Sequence, residues 1–379
     1  MKVLYKNANL FLEGKGFVRG GFLVERGRFS AVFEGSTPWD GIDLGGAYVI
    51  PGLVDAHIHG AAGADFSDGD KKGLARMGRY LALRGVTSFA PASMTLPYET
   101  LAKAFHTAAR LAANRPDGCA RIAGIHMEGP FFSEKKKGAQ NGAFLKLPDF
   151  DAFQRLYHGC GGLIRIVDVA PELPGAVLFA EKAAALCTVS AAHTDADYDT
   201  VRCFFAAGAR HLTHLYNAMP GIHHRAPGPI GAAAEREDVT AELICDGYHV
   251  HPSGVRMAFR LFPGRICLVS DALRCCGLQE GDYELGGQMV RLKNGVAQLG
   301  DGTLAGAASD LYDDMRNAIA FGIPVEEAIQ AATIIPAQRL GCGGEIGSIA
   351  TGKYADFIVC DERLERKQVF LGGQALSVS

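Results

Sequence analysis

The sequence predicts an α/β protein: a (β/α)8 barrel with a small β-sandwich built from both chain ends. Three observations lead there. Between residues 51 and 341, short apolar runs alternate with helix-like segments. Residues 1–50 and 342–379 read instead as strands punctuated by glycine and polar residues. Finally, almost every apolar run of the middle region ends in a histidine or a carboxylate, and in a barrel those ends share one face.

Composition narrows the classes. Of 379 residues, 48% are hydrophobic and 21% charged, enough for a large core and too apolar for disorder. The formal charge is −3 and the only basic run is Lys135-Lys136-Lys137, so no nucleic-acid partner is expected. No apolar run approaches the roughly 18–20 residues that span a bilayer. The start, Met1-Lys-Val-Leu-Tyr, lacks a signal-peptide pattern, and a cytoplasmic protein without a membrane partner is expected. The ten cysteines form no C-x-x-C pair and are expected to be free thiols.

The elements follow in order. Lys2 to Tyr5, Asn9 to Leu12, Gly21 to Glu25, Arg28 to Phe33 and Ala47 to Ile50 are strand-like, and Ala355 to Cys360 and Lys367 to Leu371 match them in character. The N-terminal unit is too short in apolar content to stand alone, so the two ends are expected to pair. Barrel strands are expected at Leu53–Ile58, Thr87–Met94, Arg121–Met127, Leu163–Val169, Thr188–His193, His211–Leu215, Thr240–Cys245 and Ile266–Ser270. Helices fall between them, among others at Lys71–Leu83, Glu99–Asn114, Ala176–Leu186 and Tyr198–Gly208. A doubly wound sheet is the alternative, weakened by the lack of G-x-G-x-x-G after the first strand. From about 280 to 304, Gly286-Gly287 and Asn294-Gly295 signal hairpins crossing the barrel mouth. Helices at Asp310–Ala320 and Pro324–Leu340 close the barrel region.

The polar residues carry the chemistry. His57 and His59 lie two apart in a strand, so both point the same way and form half of a divalent-metal site. By themselves they fit a plain surface strand with two unrelated histidines better. The other strand ends supply His126 and Glu128, Asp168 and Glu172, His193 and Asp195, His214 and Asn217, Asp246 and His249, and Asp271. That convergence favours the metal reading. His126 fits better as a packed supporting residue, His211 as a structural one at a strand start, and His106, His158 and His251 as solvated. His223 and His224 sit in a Gly/Pro-rich loop that suits either exposure or substrate contact. Asp195 and Asp197 suit helix N-termini.

Pro51-Gly-Leu-Val-Asp-Ala-His57-Ile-His59-Gly, with Gly347-Ser-Ile-Ala-Thr-Gly-Lys-Tyr-Ala-Asp356, resembles the amidohydrolase superfamily. Gly124-Ile-His-Met-Glu128-Gly-Pro, His214-Leu-Tyr-Asn-Ala-Met219, Asp246-Gly-Tyr-His249 and Leu304-Ala-Gly-Ala resemble, within it, the deacetylases of N-acetylglucosamine 6-phosphate. The resemblance runs from about 45 to 360 and implies an amidohydrolase-type barrel that binds one or two divalent ions, Zn or Fe. It implies Glu128, His193 and His214 as the main metal ligands and His57 and His59 as holders of a second ion. Asp271 would be the general acid/base and His249 would polarise the amide carbonyl. Gln140, Asn217, Ala218 and Arg225 would contact the phosphorylated N-acetyl amino sugar, with Arg225 on its phosphate. In such enzymes that arginine can come from the neighbouring subunit of a homodimer. Gln140 stands where many members carry histidine, which bears on substrate choice. The same mechanism on N-acetylgalactosamine 6-phosphate or another N-acyl amine, or a barrel without catalysis, are the alternatives.

Overall fold

Apolar runs enclosed on both faces make parallel strands, and the chain supplies eight of them around one axis. The computed structural model describes residues 2–377. Strands β1 (Leu53–Ile58), β2 (Val86–Pro91), β3 (Ile125–Phe131), β4 (Ile164–Val169), β5 (Thr188–Ala191), β6 (His211–Leu212), β7 (Thr240–Leu243) and β8 (Ile266–Leu268) run parallel. β2 reaches β3 through Arg121–Ile122 and a bridge from Ala92 to His126. The ring closes where Asp271 N–H donates to His57 O at 2.9 Å and the Ser270 hydroxyl donates to Asp55 at 2.6 Å. Every residue of β1 is buried, as expected of a strand with barrel core on one side and helices on the other.

Regular pairing in β5, β6 and β8 stops earlier than the apolar runs do. His193, His214 and Asp271, just beyond, take left-handed backbone with φ of 44°, 33° and 48°. The chain turns out of the sheet there and lifts these side chains to the barrel mouth. The expected helix 324–340 is two helices, Val325–Ala331 and Ile334–Arg339. Pro336 explains the break: inside a continuous helix it would forfeit a hydrogen bond and clash one turn back, whereas the first turn tolerates it. Asp70, Asp197 and Asp310 cap the helices Lys71–Leu83, Tyr198–Ala206 and Leu311–Ala320, each worth about 1 kcal/mol.

The chain ends share one sheet. Lys2–Leu12, Gly16–Glu25, Arg28–Glu34 and Tyr48–Pro51 join Phe357–Cys360, Arg366–Leu371 and Gln374–Ala375, with Val49 opposite Val359. The sheet curls until its wings face each other. Phe22 and Phe357, on separate wings, lie 4.9 Å apart between ring centres, and Tyr5 packs on both. Packing is therefore that of a sandwich, although the hydrogen bonding is continuous. Each aromatic pair adds about 0.5–1.5 kcal/mol beyond its buried area. Tyr48–Pro51 runs straight into β1, so this sheet anchors the strand that carries His57 and His59. Gly281–Leu285, Gln288–Lys293 and Val296–Leu299 form the expected antiparallel excursion, pinned at the mouth by Gln288 Nε2 donating to Ala139 O at 2.6 Å.

Candidate active site

β1 places His57 and His59 side by side at the mouth, both buried. Glu128, near the end of β3, stands between them and the histidines that follow β5 and β6. Its Oε1 lies 3.1 Å from His193 Nε2 and 3.3 Å from His214 Nε2, and those two nitrogens are 3.1 Å apart. Its Oε2 lies 3.3 Å from His59 Nε2, and Oε1 is 3.7 Å from His57 Nε2. Asp271 Oδ1 approaches from β8 to 3.2 Å from His59 Nε2 and 3.6 Å from His57 Nε2. Two half-sites thus share one carboxylate.

The other ring nitrogen of each histidine is anchored to an acceptor. Nδ1 of His59 meets Ala92 O at 3.2 Å, that of His193 meets Lys136 O at 2.8 Å, and that of His214 meets Asn217 O at 3.1 Å. Nδ1 of His57 meets the Glu242 carboxylate at 2.9 Å. An acceptor requires Nδ1 to carry a proton, which turns each Nε2 toward the centre, where a cation can replace any proton it holds. His57 Nε2 and Asp271 Oδ1 are buried without a hydrogen-bond partner. Four converging Nε2 atoms, a shared carboxylate and two orphaned buried polar atoms fit a divalent cation, one in each half.

The electrostatics agree. Burial alone would raise Glu128, but hydrogen bonds from His193 and His214 and the nearby imidazoles hold it well below the usual carboxylate range. Burial likewise opposes the charge on Asp271, and His57 and His59 outweigh it and lower its pKa. Conversely, burial pulls His59 and His214 down, yet their bonds to Asp271 and Glu128 respectively bring each to about 9. Such a pocket attracts positive charge.

Above the centre opens a cavity of about 280 Å³. Gln140, Asn217, Ala218, His249 and Asp271 line it, with Met94, Leu273, Leu285 and residues 303–306. His249 Nδ1 lies 2.7 Å from Asp246 Oδ2 and its Nε2 3.1 Å from Ala305 O. Both partners accept, so both nitrogens donate and the ring is an imidazolium. Burial disfavours that charge, but Asp246 outweighs it and raises the pKa. Gly306 is required where it stands, because a Cβ would collide with Asp271 O and sit 3.1 Å from its Oδ1.

A family model described as "Amidohydrolase family" matches residues 48–376. The chain belongs to the amidohydrolase family. It is 35% identical over 356 residues to the N-acetylglucosamine-6-phosphate deacetylase of Vibrio furnissii, covering 92% of this chain and 88% of that one. To the N-acetylgalactosamine-6-phosphate deacetylase of Escherichia coli O157:H7 it is 33% identical, with 87% and 88% covered. Among solved structures, the N-acetyl-D-glucosamine-6-phosphate deacetylase of Mycobacterium smegmatis in complex with N-acetyl-D-glucosamine-6-phosphate superposes with a TM-score of 0.93 at 32% identity, over 99% of both chains.

In this amidohydrolase two expected substrate residues sit differently from the others. Gln140 is buried, takes the Thr95 N–H on Oε1 at 2.7 Å and donates its Nε2 to Glu128 Oε2, so it orients the shared carboxylate. Arg225 is exposed, bonded to His224, and lies outside the cavity lining. His106, His158 and His251 are exposed, and Asp197 is an N-cap, as expected. His126 and His211 are buried beneath the metal centre: His126 Nε2 lies 3.0 Å from Asp168, and His211 Nε2 3.0 Å from Glu242. Glu242 was not legible as part of the site. Its one signal is a lone acid inside the apolar run Thr240-Ala-Glu-Leu-Ile.

Proposed function

We propose that this chain is a metal-dependent deacetylase hydrolysing N-acetylglucosamine 6-phosphate to glucosamine 6-phosphate and acetate. The convergence of Glu128, His193, His214, His57, His59 and Asp271 beneath a sugar-sized cavity carries this reading, and the relatives so named support it. Glu128, His193 and His214 would hold one ion, and His57 and His59, together with the Glu128 carboxylate, would hold the other. The donor set suits Zn or Fe. When bound, such a cation acidifies water and stabilises the oxyanion of an amide under attack.

The chain's own groups do the rest. Asp271, ionised and buried, takes the proton of the attacking water through its carboxylate and returns it to the departing amine nitrogen. The fixed imidazolium of His249 favours negative charge developing on the carbonyl oxygen. Asn217 and the Ala218 N–H hold the sugar phosphate. No lysine or arginine is among the described residues lining the cavity, yet a phosphate calls for a cation. We assign that role to Arg225 supplied across a homodimer, each subunit serving its partner. Residues 51–341 form the catalytic domain and residues 1–50 with 342–379 the supporting one. Ten free cysteines suit a reducing, cytoplasmic setting, and among the described residues no helix is long and apolar enough to cross a membrane.

The deciding experiment measures acetate release from N-acetylglucosamine, N-acetylgalactosamine and their 6-phosphates, with bound metal quantified alongside. Fastest turnover is expected on N-acetylglucosamine 6-phosphate. Preference for the galactose configuration would move the activity to the related sugar, and no release from any of the four by metal-loaded protein would overturn the reading.

A further inference from the structure

One contact beneath the metal centre differs in kind from its counterparts. His59, His193 and His214 each give their Nδ1 proton to a backbone carbonyl, but His57 gives its proton to a side-chain carboxylate, Glu242 Oε2, at 2.9 Å. Glu242 is wholly buried and its two oxygens are fully engaged. Oε1 lies 3.0 Å from His211 Nε2 and 3.6 Å from His126 Nδ1, while Oε2 also takes the backbone N–H of His214 at 3.3 Å. His211 is itself fixed through Nδ1 to the Thr240 hydroxyl at 2.6 Å, and His126 Nδ1 to Ala56 O at 3.1 Å. The carboxylate therefore has one orientation available, set from below, and His57 inherits it.

We propose that Glu242 is the positioning residue of the second cation: it fixes His57 with the proton on Nδ1, turns Nε2 toward the centre, and raises that nitrogen's donor strength. The proposal rests on the two-ion reading of the site. A carboxylate behind a metal-binding imidazole polarises the N–H and makes the distal nitrogen a better ligand, and losing such a partner lowers metal affinity by about 10–100-fold. The half-site of Glu128, His193 and His214 leans on Glu242 only through one backbone N–H, so its affinity is expected to hold. His57, His126 and Glu242 are also close enough together to hold an ion of their own. Their facing atoms are already committed to hydrogen bonds with one another and with Ala56 and His211, which is the arrangement of a support.

The test is metal titration of the full chain, apo and refilled with Co2+ or Zn2+, for the wild type, Glu242→Gln, His57→Gln and the double variant. Wild type is expected to take two ions. Glu242→Gln should weaken the second by about 10–100-fold and leave the first unchanged. Because Glu242 acts through His57, adding Glu242→Gln to His57→Gln should change second-ion affinity no further. Unchanged second-ion affinity in Glu242→Gln, equal weakening of both ions, or additive losses in the double variant would each overturn the proposal. A wild type holding one ion would overturn it too, while leaving the deacetylase reading standing. Two tightly bound ions with no deacetylation would do the reverse. Should Glu242→Gln not fold, 15N spectra of the wild type filled with 113Cd give the answer directly. Coupling to His57 Nε2 with a protonated Nδ1 is expected, and coupling through Nδ1 refutes it.

Discussion

Replacing Asp271 by asparagine removes its charge and its capacity to carry a proton while keeping the shape of the side chain. Asparagine has the same shape and leaves no cavity. It also tolerates the left-handed backbone that Asp271 adopts at φ 48°, so the main-chain bonds from Ala307 N–H to Asp271 O and from Asp271 N–H to His57 O persist. The buried Oδ1 near His57 and His59 is retained as a carbonyl oxygen, and the half-site of Glu128, His193 and His214 does not touch it. What is lost is the negative charge beside His57 and His59 and, for catalysis, the ability to accept and return a proton. General acid/base groups contribute about 10²–10⁴-fold, and both halves of the reaction need this one, so kcat should fall by at least about 10³-fold, or about 4 kcal/mol. KM should change little, because the loss falls on the transition state. The assay is steady-state acetate release by Asp271→Asn, with metal content and thermal midpoint measured on the same preparation. Near-wild-type kcat in folded, metal-loaded variant would remove Asp271 from the chemistry.

Three further outcomes follow from the same geometry. Arg225→Ala should raise KM for the 6-phosphate by about tenfold or more while leaving unphosphorylated N-acetylglucosamine unaffected, and equal effects on both would sink the phosphate assignment. The pair His57→Gln/His59→Asn should lower metal content from two ions to one; unchanged stoichiometry and rate would refute the second half-site. Metal binding should release protons, since His59 and His214 are held at about 9 without an ion and are therefore protonated at pH 7. Affinity should rise with pH up to about 9 as those protons leave unaided, and calorimetry in buffers of different ionisation enthalpy reads the release. Absence of buffer dependence would contradict it.

Much of the site could be read before folding because it depends on local geometry. A strand alternates its faces, so His57 and His59 had to point together whatever the rest of the chain did. Alternating apolar runs and helices implied a barrel, and a barrel gathers its strand ends, which placed Glu128, His193, His214, His249 and Asp271 on one face. Paired glycines and Asn294-Gly295 marked the excursion over the mouth. The sequence by itself thus determined which residues could meet. Tertiary structure decided how they meet. The left-handed turns at His193, His214 and Asp271 belong to a backbone region that non-glycine residues seldom adopt, and the sequence pattern did not mark them. Gln140 faces Glu128 because Thr95 from another strand end claims its oxygen. Arg225 stays outside the cavity of its own chain. Glu242, a single acid in an apolar run, became a partner of His57 through barrel closure that joins residues 185 apart. Periodicity sets a face, but register across the closed ring sets the contacts, and that register is a property of the whole chain.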